Sequence, residues 1–363
     1  MTSEPVQTFD ARQAVDAMLA QAAAQRASDV HVEPTAEGYE IRYRIDGILQ
    51  TTRQLDADSG RAIVGRLMVL AQLLTYRLDV PQEGRLAFKP GDPDRGFDLR
   101  LSIMPTTRGL RAAVRMPAEL LQPGTLASLA LPPSVMDGMM RFAAADAGML
   151  IFTGPAGSGK TTSIYALLSH ILQENPGLSV IALEDPVERQ VPGVTQIEVK
   201  PFGELTYERA LRSILRQDPQ VLMLGEIRDS ATASLALQAA LSGHRLVCTL
   251  HASDPAGAIA RLLEMGLEPY QITSALFGMI SQRLLRRRAG DGYRGRVPAA
   301  EFVANDDTLR AAILRRADAA TLRQAYHRQD GYVPMRTVAK NLVESGVTDQ
   351  EEVRRALGAD ARM

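Results

Sequence analysis

Residues 148–174 read GMLIFTGPAGSGKTTSIYALLSHILQE. An apolar run with strand composition, MLIFT, meets a glycine-rich turn, and a helical pattern follows from Lys160. The turn Gly154-Pro155-Ala156-Gly157-Ser158-Gly159-Lys160-Thr161 fits G-x-x-x-x-G-K-[ST] in full, and Thr162 carries it into the helix. The chemistry demands these residue types. Glycines let successive backbone N–H groups face a phosphate, Lys160 puts a positive charge on the β/γ-phosphates, and the Thr161 hydroxyl can ligate Mg²⁺. A strand-to-helix turn can match the pattern by accident, but here strand and helix flank it on the correct sides. The stretch is read as a nucleoside-triphosphate site.

Outward from this loop, the rhythm of apolar strand, turn and helix repeats: LSVIALE; RALRSILR then VLMLGE; ATASLALQAAL then LVCTLHA. Such alternation predicts βα units and a mostly parallel sheet covered on both faces. The amino-terminal part differs. Asp10 is a good N-cap for a first helix, SDVHVEP and YEIRYRI alternate polar and apolar residues, and Asp46-Gly47 turns the chain into ILQTTR. A helix near 59–74 and strands in LAFKP, DLRLSIM and LRAAVRM complete a small α+β domain with an antiparallel sheet. Four prolines in PAELLQPGTLASLALPP mark the boundary. The predicted division is an α+β domain over 1–117, a linker over 118–133, a P-loop domain over 134–305 and short helices over 306–363.

The 363 residues suit two domains. With 41 Lys+Arg against 42 Asp+Glu, the net charge of −1 excludes a chain built as a whole to coat nucleic acid or an anionic membrane. Hydrophobic residues at 45% are too many for a disordered chain. One cysteine, Cys248, excludes an intrachain disulfide and a four-cysteine zinc site, and it lies inside an apolar strand as core packing. No apolar run reaches membrane-spanning length, and the start lacks a signal pattern, so a reduced, cytosolic, soluble protein is expected.

Two acidic strand ends accompany the loop. VLMLGEIRD places Glu226 where a P-loop enzyme's second acid holds Mg²⁺ or its waters. LSVIALEDPVE ends in Glu184 and Asp185, and one of two such acids can serve the metal while the other orients or deprotonates water. A solvated strand-end acid would look the same at Glu184. His251 follows a strand where a polar γ-phosphate sensor would stand, and His244 precedes that strand at its opposite end. A satisfied loop histidine fits either position equally well.

Taken together, these motifs resemble the secretion-type traffic ATPases: type II secretion ATPases, type IV pilus motors and competence pseudopilus ATPases. GPAGSGKTTS resembles that family's Walker A, IALEDPVE its aspartate box, LRSILRQDPQVLMLGEIRDSATA its Walker B region and GHRLVCTLHASDPAGAIARLLEMG its histidine box. ASDVHVEP, YRIDGIL, PQEGR and DLRLSIMPTTRGLRAAVRM extend the likeness into the amino-terminal domain, so it covers roughly residues 26–360. The resemblance implies a RecA-like P-loop domain behind a PAS-like α+β domain, a cytoplasmic homo-hexamer using ATP and Mg²⁺, and an inner-membrane platform as partner, with membrane contact only through partners. It also implies catalytic roles for Lys160, Glu184 and Glu226, Mg²⁺ ligation through Thr161 and Glu226, and coupling of nucleotide state to movement through His251, with His244 as a second candidate. Arginines complete the site in that family, and the matching positions are Arg100, Arg115, Arg212, Arg216 and Arg228. The i, i+4 spacing of Arg212 and Arg216 predicts that both share one helix face; solvated strand-face arginines (Arg100, Arg115) and a salt-bridged surface helix (Arg212, Arg216) are the plainer alternatives.

Two departures stand out. Many members carry a zinc knob of two CxxC pairs after the histidine box, where this sequence runs SQRLLRRRAGDGYRGRV, so no zinc is expected. The amino-terminal docking domain of longer members is expected to be missing. Residues 283–296 hold six arginines and one aspartate, a local +5. As a nucleic-acid patch this would suit a DNA-translocating hexamer, but it lacks interleaved aromatics apart from Tyr293; an inter-subunit or solvated cluster is the preferred reading, with no nucleic acid expected. A third alternative is an ATP-gated scaffold with little turnover.

Overall fold

The computed structural model describes residues 9–89, 96–117, 124–199 and 203–358; residues 118–123 of the predicted linker lie outside them. The chain divides into two compact units, Met1–Gln122 and Pro123–Met363.

In the first unit, α1 (Ala11–Ala24) begins where the Asp10 carboxylate accepts from the Arg12 and Gln13 N–H groups at 2.9 and 3.2 Å. Strands β1 (Ala27–Pro34), β2 (Tyr39–Ile45) and β3 (Ile48–Leu55) precede α2 (Ala57–Leu70), and β4 (Gln82–Phe88), β5 (Phe97–Thr106) and β6 (Gly109–Arg115) follow it. The sheet runs β3-β2-β1-β6-β5-β4 and is antiparallel throughout, as the sequence predicts. Alternation sends Val30, Val32, Leu99, Leu101 and Val114 toward Val15, Leu19, Ile63 and Leu67 of the two helices. The other face is charged. Helix α2 stops before the predicted residue 74 because Gln72 turns left-handed (φ 57°), and the Gln82 side chain then holds the Leu74 N–H and carbonyl.

In the second unit, α3 (Pro133–Ala143) leads into β7 (Gly148–Thr153) and α4 (Lys160–Glu174). There follow β8 (Val180–Glu184), β9 (Thr195–Glu198), α5 (Tyr207–Ile214), β10 (Val221–Leu224), α6 (Ser230–Leu241) and β11 (Arg245–Leu250). After α7 (Pro255–Glu264) and α8 (Pro269–Ala275) comes a long hairpin, β12 (Leu276–Ala289) and β13 (Gly292–Ala304). Strand order is β13-β12-β7-β11-β10-β8-β9, parallel except for β13. Strands β8, β10 and β11 are buried along their whole length, the state their unbroken apolar composition predicts for strands covered on both faces. No helix among the described residues is long and apolar enough to cross a membrane.

Helices α9 (Asp307–Leu314), α10 (Ala319–His327), α11 (Met335–Glu344) and α12 (Gln350–Leu357) close the chain. They correct the reading of the arginine run as a solvated or inter-subunit cluster at Arg286, while Arg287, Arg288 and Arg294 stay exposed as that reading expects. Arg286 donates from Nε and Nη2 to Glu352 of α12, both at 2.8 Å, and its N–H reaches the same carboxylate at 2.9 Å. Arg355 adds a second guanidinium. Tyr293, the aromatic of that run, lies beneath Arg286 at 3.9 Å and donates to Asp349 at 2.6 Å.

The Glu352 side chain is 0% exposed. Burial alone would raise its pKa; the Arg355 and Arg286 side chains and the Arg286 N–H reverse that and hold it at about 2. The folded-state pKa is thus below the ordinary 4.5, so the stabilisation is complete above that value and is lost as pH falls toward 2. Glu352→Ala leaves Arg286, only 14% exposed, without its counter-charge and is expected to cost about 3–5 kcal/mol in denaturant unfolding at pH 7, with the deficit shrinking below pH 4.

Candidate nucleotide site

Loop 154–159 joins β7 to α4 at the carboxyl edge of the sheet, and β12 runs alongside it. The approach is close enough to exclude side chains. A methyl group on Gly154 (φ 137°) would meet the Gln282 carbonyl oxygen at 2.5 Å, and one on Gly159 (φ 88°) would meet Gln282 Nε2 at 2.7 Å. Gln282 is buried and ties the loop down, donating to the Ser158 carbonyl at 2.9 Å and accepting from the Ser163 hydroxyl of α4 at 2.9 Å. Helices α1, α2, α6 and α7 start on aspartate caps, but α4 starts on Gly159 with no side-chain acceptor, so its first N–H groups are left for an anion. Lys160 Nζ donates to the Gly154 and Pro155 carbonyls at 2.8 and 3.0 Å. Its pKa is lowered chiefly by burial, with Glu226 and Glu188 opposing and Arg283 reinforcing.

Glu226 lies two residues past β10, its side chain 14% exposed, between Arg228 Nε at 2.7 Å and His251 Nε2 at 3.0 Å. Arg228 also reaches Asp185 at 3.2 Å, so its guanidinium bridges two acidic strand ends. Gly225, beside Glu226, is held by the Thr249 hydroxyl at 2.5 Å and packs under the Tyr207 phenol. Neither Thr249 nor Tyr207 carried a sequence signal.

Glu184 is 3% exposed, which excludes the solvated strand-end reading. The Tyr165 hydroxyl donates to one carboxylate oxygen and Gln196 Nε2 to the other at 2.9 Å. Burial raises the Glu184 pKa, and these two donors oppose the rise. Tyr165 lies five residues after Lys160 on the same helix; the loop motif ends too early to include it. His244 stays at the amino end of β11, bonded to the Ala239 carbonyl at 2.9 Å, a strand length away from the loop.

The arginines divide into separate settings. Arg212 pairs with Glu208 of its own helix at 3.0 Å, the salt-bridged arrangement. Helix α5 ends at Ile214 and is capped by Leu215, so Arg216 falls just past it and the predicted shared helix face does not form. Within the first unit, Arg100 pairs directly with Arg115 across β5 and β6, and Arg85 of β4 pairs with Arg100 on the other side. Direct partners share a sheet face, so three guanidinium groups stand abreast at a like-charge cost. Asp29 lies next to Arg115 at 3.4 Å. Arg85 comes from PQEGR, which entered the sequence reading only as part of the family resemblance.

Strand order, loop position and flanking acids define a P-loop nucleotide-binding protein of the RecA-like class. The fold matches the Legionella pneumophila ATPase DotB at a TM-score of 0.77 (23% identity, 98% of this chain and 97% of that one). It also matches the pilus retraction motor PilT with bound ADP at 0.67 (25% identity, 96% of each). The chain belongs to the type II/IV secretion system protein family, which it matches over residues 7–355. It is 35% identical over 361 residues to the type II secretion system protein HxcR of Pseudomonas aeruginosa, covering 94% of this chain and 76% of that protein. It is 34% identical over 382 residues to the type IV pilus assembly ATPase PilB of Thermus thermophilus, covering 94% of this chain and 42% of that one.

Gln282→Leu leaves the Ser158 carbonyl and the Ser163 hydroxyl without their partner in the interior. It is expected to cost about 1–3 kcal/mol in denaturant unfolding and to weaken nucleotide binding, measured by titration with a fluorescent ATP analogue.

Proposed function

We propose that this chain hydrolyses ATP in the cytoplasm as a homo-hexameric motor that drives pseudopilus or pilus assembly, or protein secretion, through an inner-membrane platform. The observation that carries the proposal is the paired arrangement at the sheet edge: a phosphate loop whose lysine, among the described residues, has only carbonyl partners, beside two enclosed carboxylates on neighbouring strand ends. The names of the relatives above support the secretion and pilus setting.

In this proposal the reaction transfers the γ-phosphoryl group to water. The loop N–H groups from Ala156 to Thr162 cradle the phosphates, with Gly154 and Pro155 shaping the turn, and Lys160 neutralises their charge. Thr161 and Glu226 offer the hydroxyl and carboxylate oxygens that suit Mg²⁺, which when bound shields the phosphate charge. Arg228 already neutralises Glu226 at 2.7 Å, and His251 Nε2 lies 3.0 Å from its other carboxylate oxygen. An arriving ligand therefore exchanges partners with them, which would link nucleotide state to the 251–254 loop. Glu184 orients and deprotonates the attacking water, and burial gives it the raised basicity that role needs. Arg100, Arg115, Arg212, Arg216 and Arg228 are assigned to neutralising phosphate charge during turnover. A protein partner is favoured over nucleic acid because Tyr293 and Arg286 are occupied within the chain.

Phosphate release by purified chain tests this reading. Glu184→Gln and Glu226→Gln are each expected to lower turnover by about 10²–10⁴-fold, and Lys160→Ala to abolish ATP binding. Wild-type rates in both glutamine variants would overturn it. Tyr165→Phe removes a donor that keeps the Glu184 carboxyl ionised, so its pKa rises further and the acid limb of the pH–rate profile moves to higher pH.

A further inference from the structure

Arg283 stands on β12 two residues beyond Ser281, which pairs with Thr153 at the end of β7. This register sets its guanidinium against the start of the phosphate loop. A methyl group on Gly154 would come within 3.1 Å of Arg283 Nη1. Nη1 donates to the Gln282 carbonyl at 3.0 Å, and Nη2 donates to the Ser253 carbonyl at 2.9 Å in the loop that carries His251.

Both partners are neutral. Two acids face the group, Asp254 and Glu301, and each is held elsewhere. Asp254 pairs with Arg323 at 2.7 Å and caps α7 through the Gly257 N–H. Glu301 accepts from the Tyr332 hydroxyl at 2.8 Å and the Met335 N–H at 2.9 Å. Among the described residues no carboxylate lies within ion-pair distance of Arg283. A half-buried cation without a counter-charge is costly, and the cost is tolerated where a ligand brings that charge.

Lys160 is in the same condition at the same place. Its Nζ sits on the Gly154 carbonyl, the residue that Arg283 abuts, and the charge of Arg283 reinforces the effect of burial on it. Burial likewise lowers the pKa of Arg283. Two cations that repel each other across one glycine are both relieved by a single anion between them. Because the loop lysine reaches the β/γ-phosphates, a guanidinium set against the same glycine is placed to reach the terminal one.

We infer that Arg283 is a second phosphate-binding cation of this loop, contacting the terminal phosphate of bound nucleoside triphosphate with its guanidinium. The inference rests on the reading of the loop as an ATP site. It adds a residue from β12 to a set otherwise drawn from the loop, the strand ends and the arginines matched by resemblance.

The test compares ATP and ADP affinity in the full chain, by titration calorimetry, for wild type, Arg283→Gln, Arg283→Lys and Lys160→Ala. Arg283→Gln is expected to weaken ATP by at least about tenfold while ADP stays within about threefold. Arg283→Lys keeps the charge but loses the fork, and is expected to show a smaller loss confined to ATP. Unchanged ATP affinity with only a lower melting temperature would reduce Arg283 to a tie between β12 and Ser253 and overturn the inference. An equal loss for ATP and ADP would overturn the assignment to the terminal phosphate. If Arg283→Gln does not fold, Arg283→Lys decides by the same comparison. Lys160→Ala separates the two levels: wild-type ATP binding there would sink the nucleotide reading itself, whereas its loss beside an unaffected Arg283→Gln sinks only the present inference.

Discussion

The contact between loop 154–159 and β12 is the constraint on which the second unit depends. No side chain fits at Gly154 or Gly159, because the backbone and amide of Gln282 occupy that space. The same Gln282 fastens both the loop and the first turn of α4. The strand is fixed in turn by pairing with β7 on one side and β13 on the other. The Arg286–Glu352 pair docks α12 on its far half. The phosphate loop is thus held rigid from both ends of a hairpin that shows no nucleotide motif of its own.

Charge at the sheet edge is arranged in closed groups. Glu226 lies between Arg228 and His251, and Glu184 between Tyr165 and Gln196. Lys160 and Arg283 are the exceptions, partnered among the described residues by carbonyl oxygens alone. Enclosed acids and uncompensated cations in one cleft favour a polyanion that arrives with a cation of its own.

Much of the fold was legible because its signals are local. Asp10 caps α1, the Asp46-Gly47 turn closes the β2–β3 hairpin, and unbroken apolar runs mark β8, β10 and β11 as buried strands. The loop was legible because phosphate binding fixes residue types at fixed spacing. Gln282, Tyr165, Gln196 and Thr249 were not, since a glutamine, tyrosine or threonine reveals its role only through a partner brought from far along the chain; Gln282 and Ser163 are 119 positions apart. The hairpin 276–304 was missed for a related reason. Its arginines suggested a solvated patch, and only the distant Glu352 explains why Arg286 is enclosed. The predicted face shared by Arg212 and Arg216 failed because α5 stops at Ile214.

The proposed motor turns over ATP as an assembled homo-hexamer. Phosphate release per chain, measured with Mg²⁺ and ATP across a wide range of protein concentration alongside size in solution, tests it most directly. The predicted result is a specific activity that rises steeply as rings form. A monomer with full, concentration-independent turnover would contradict it.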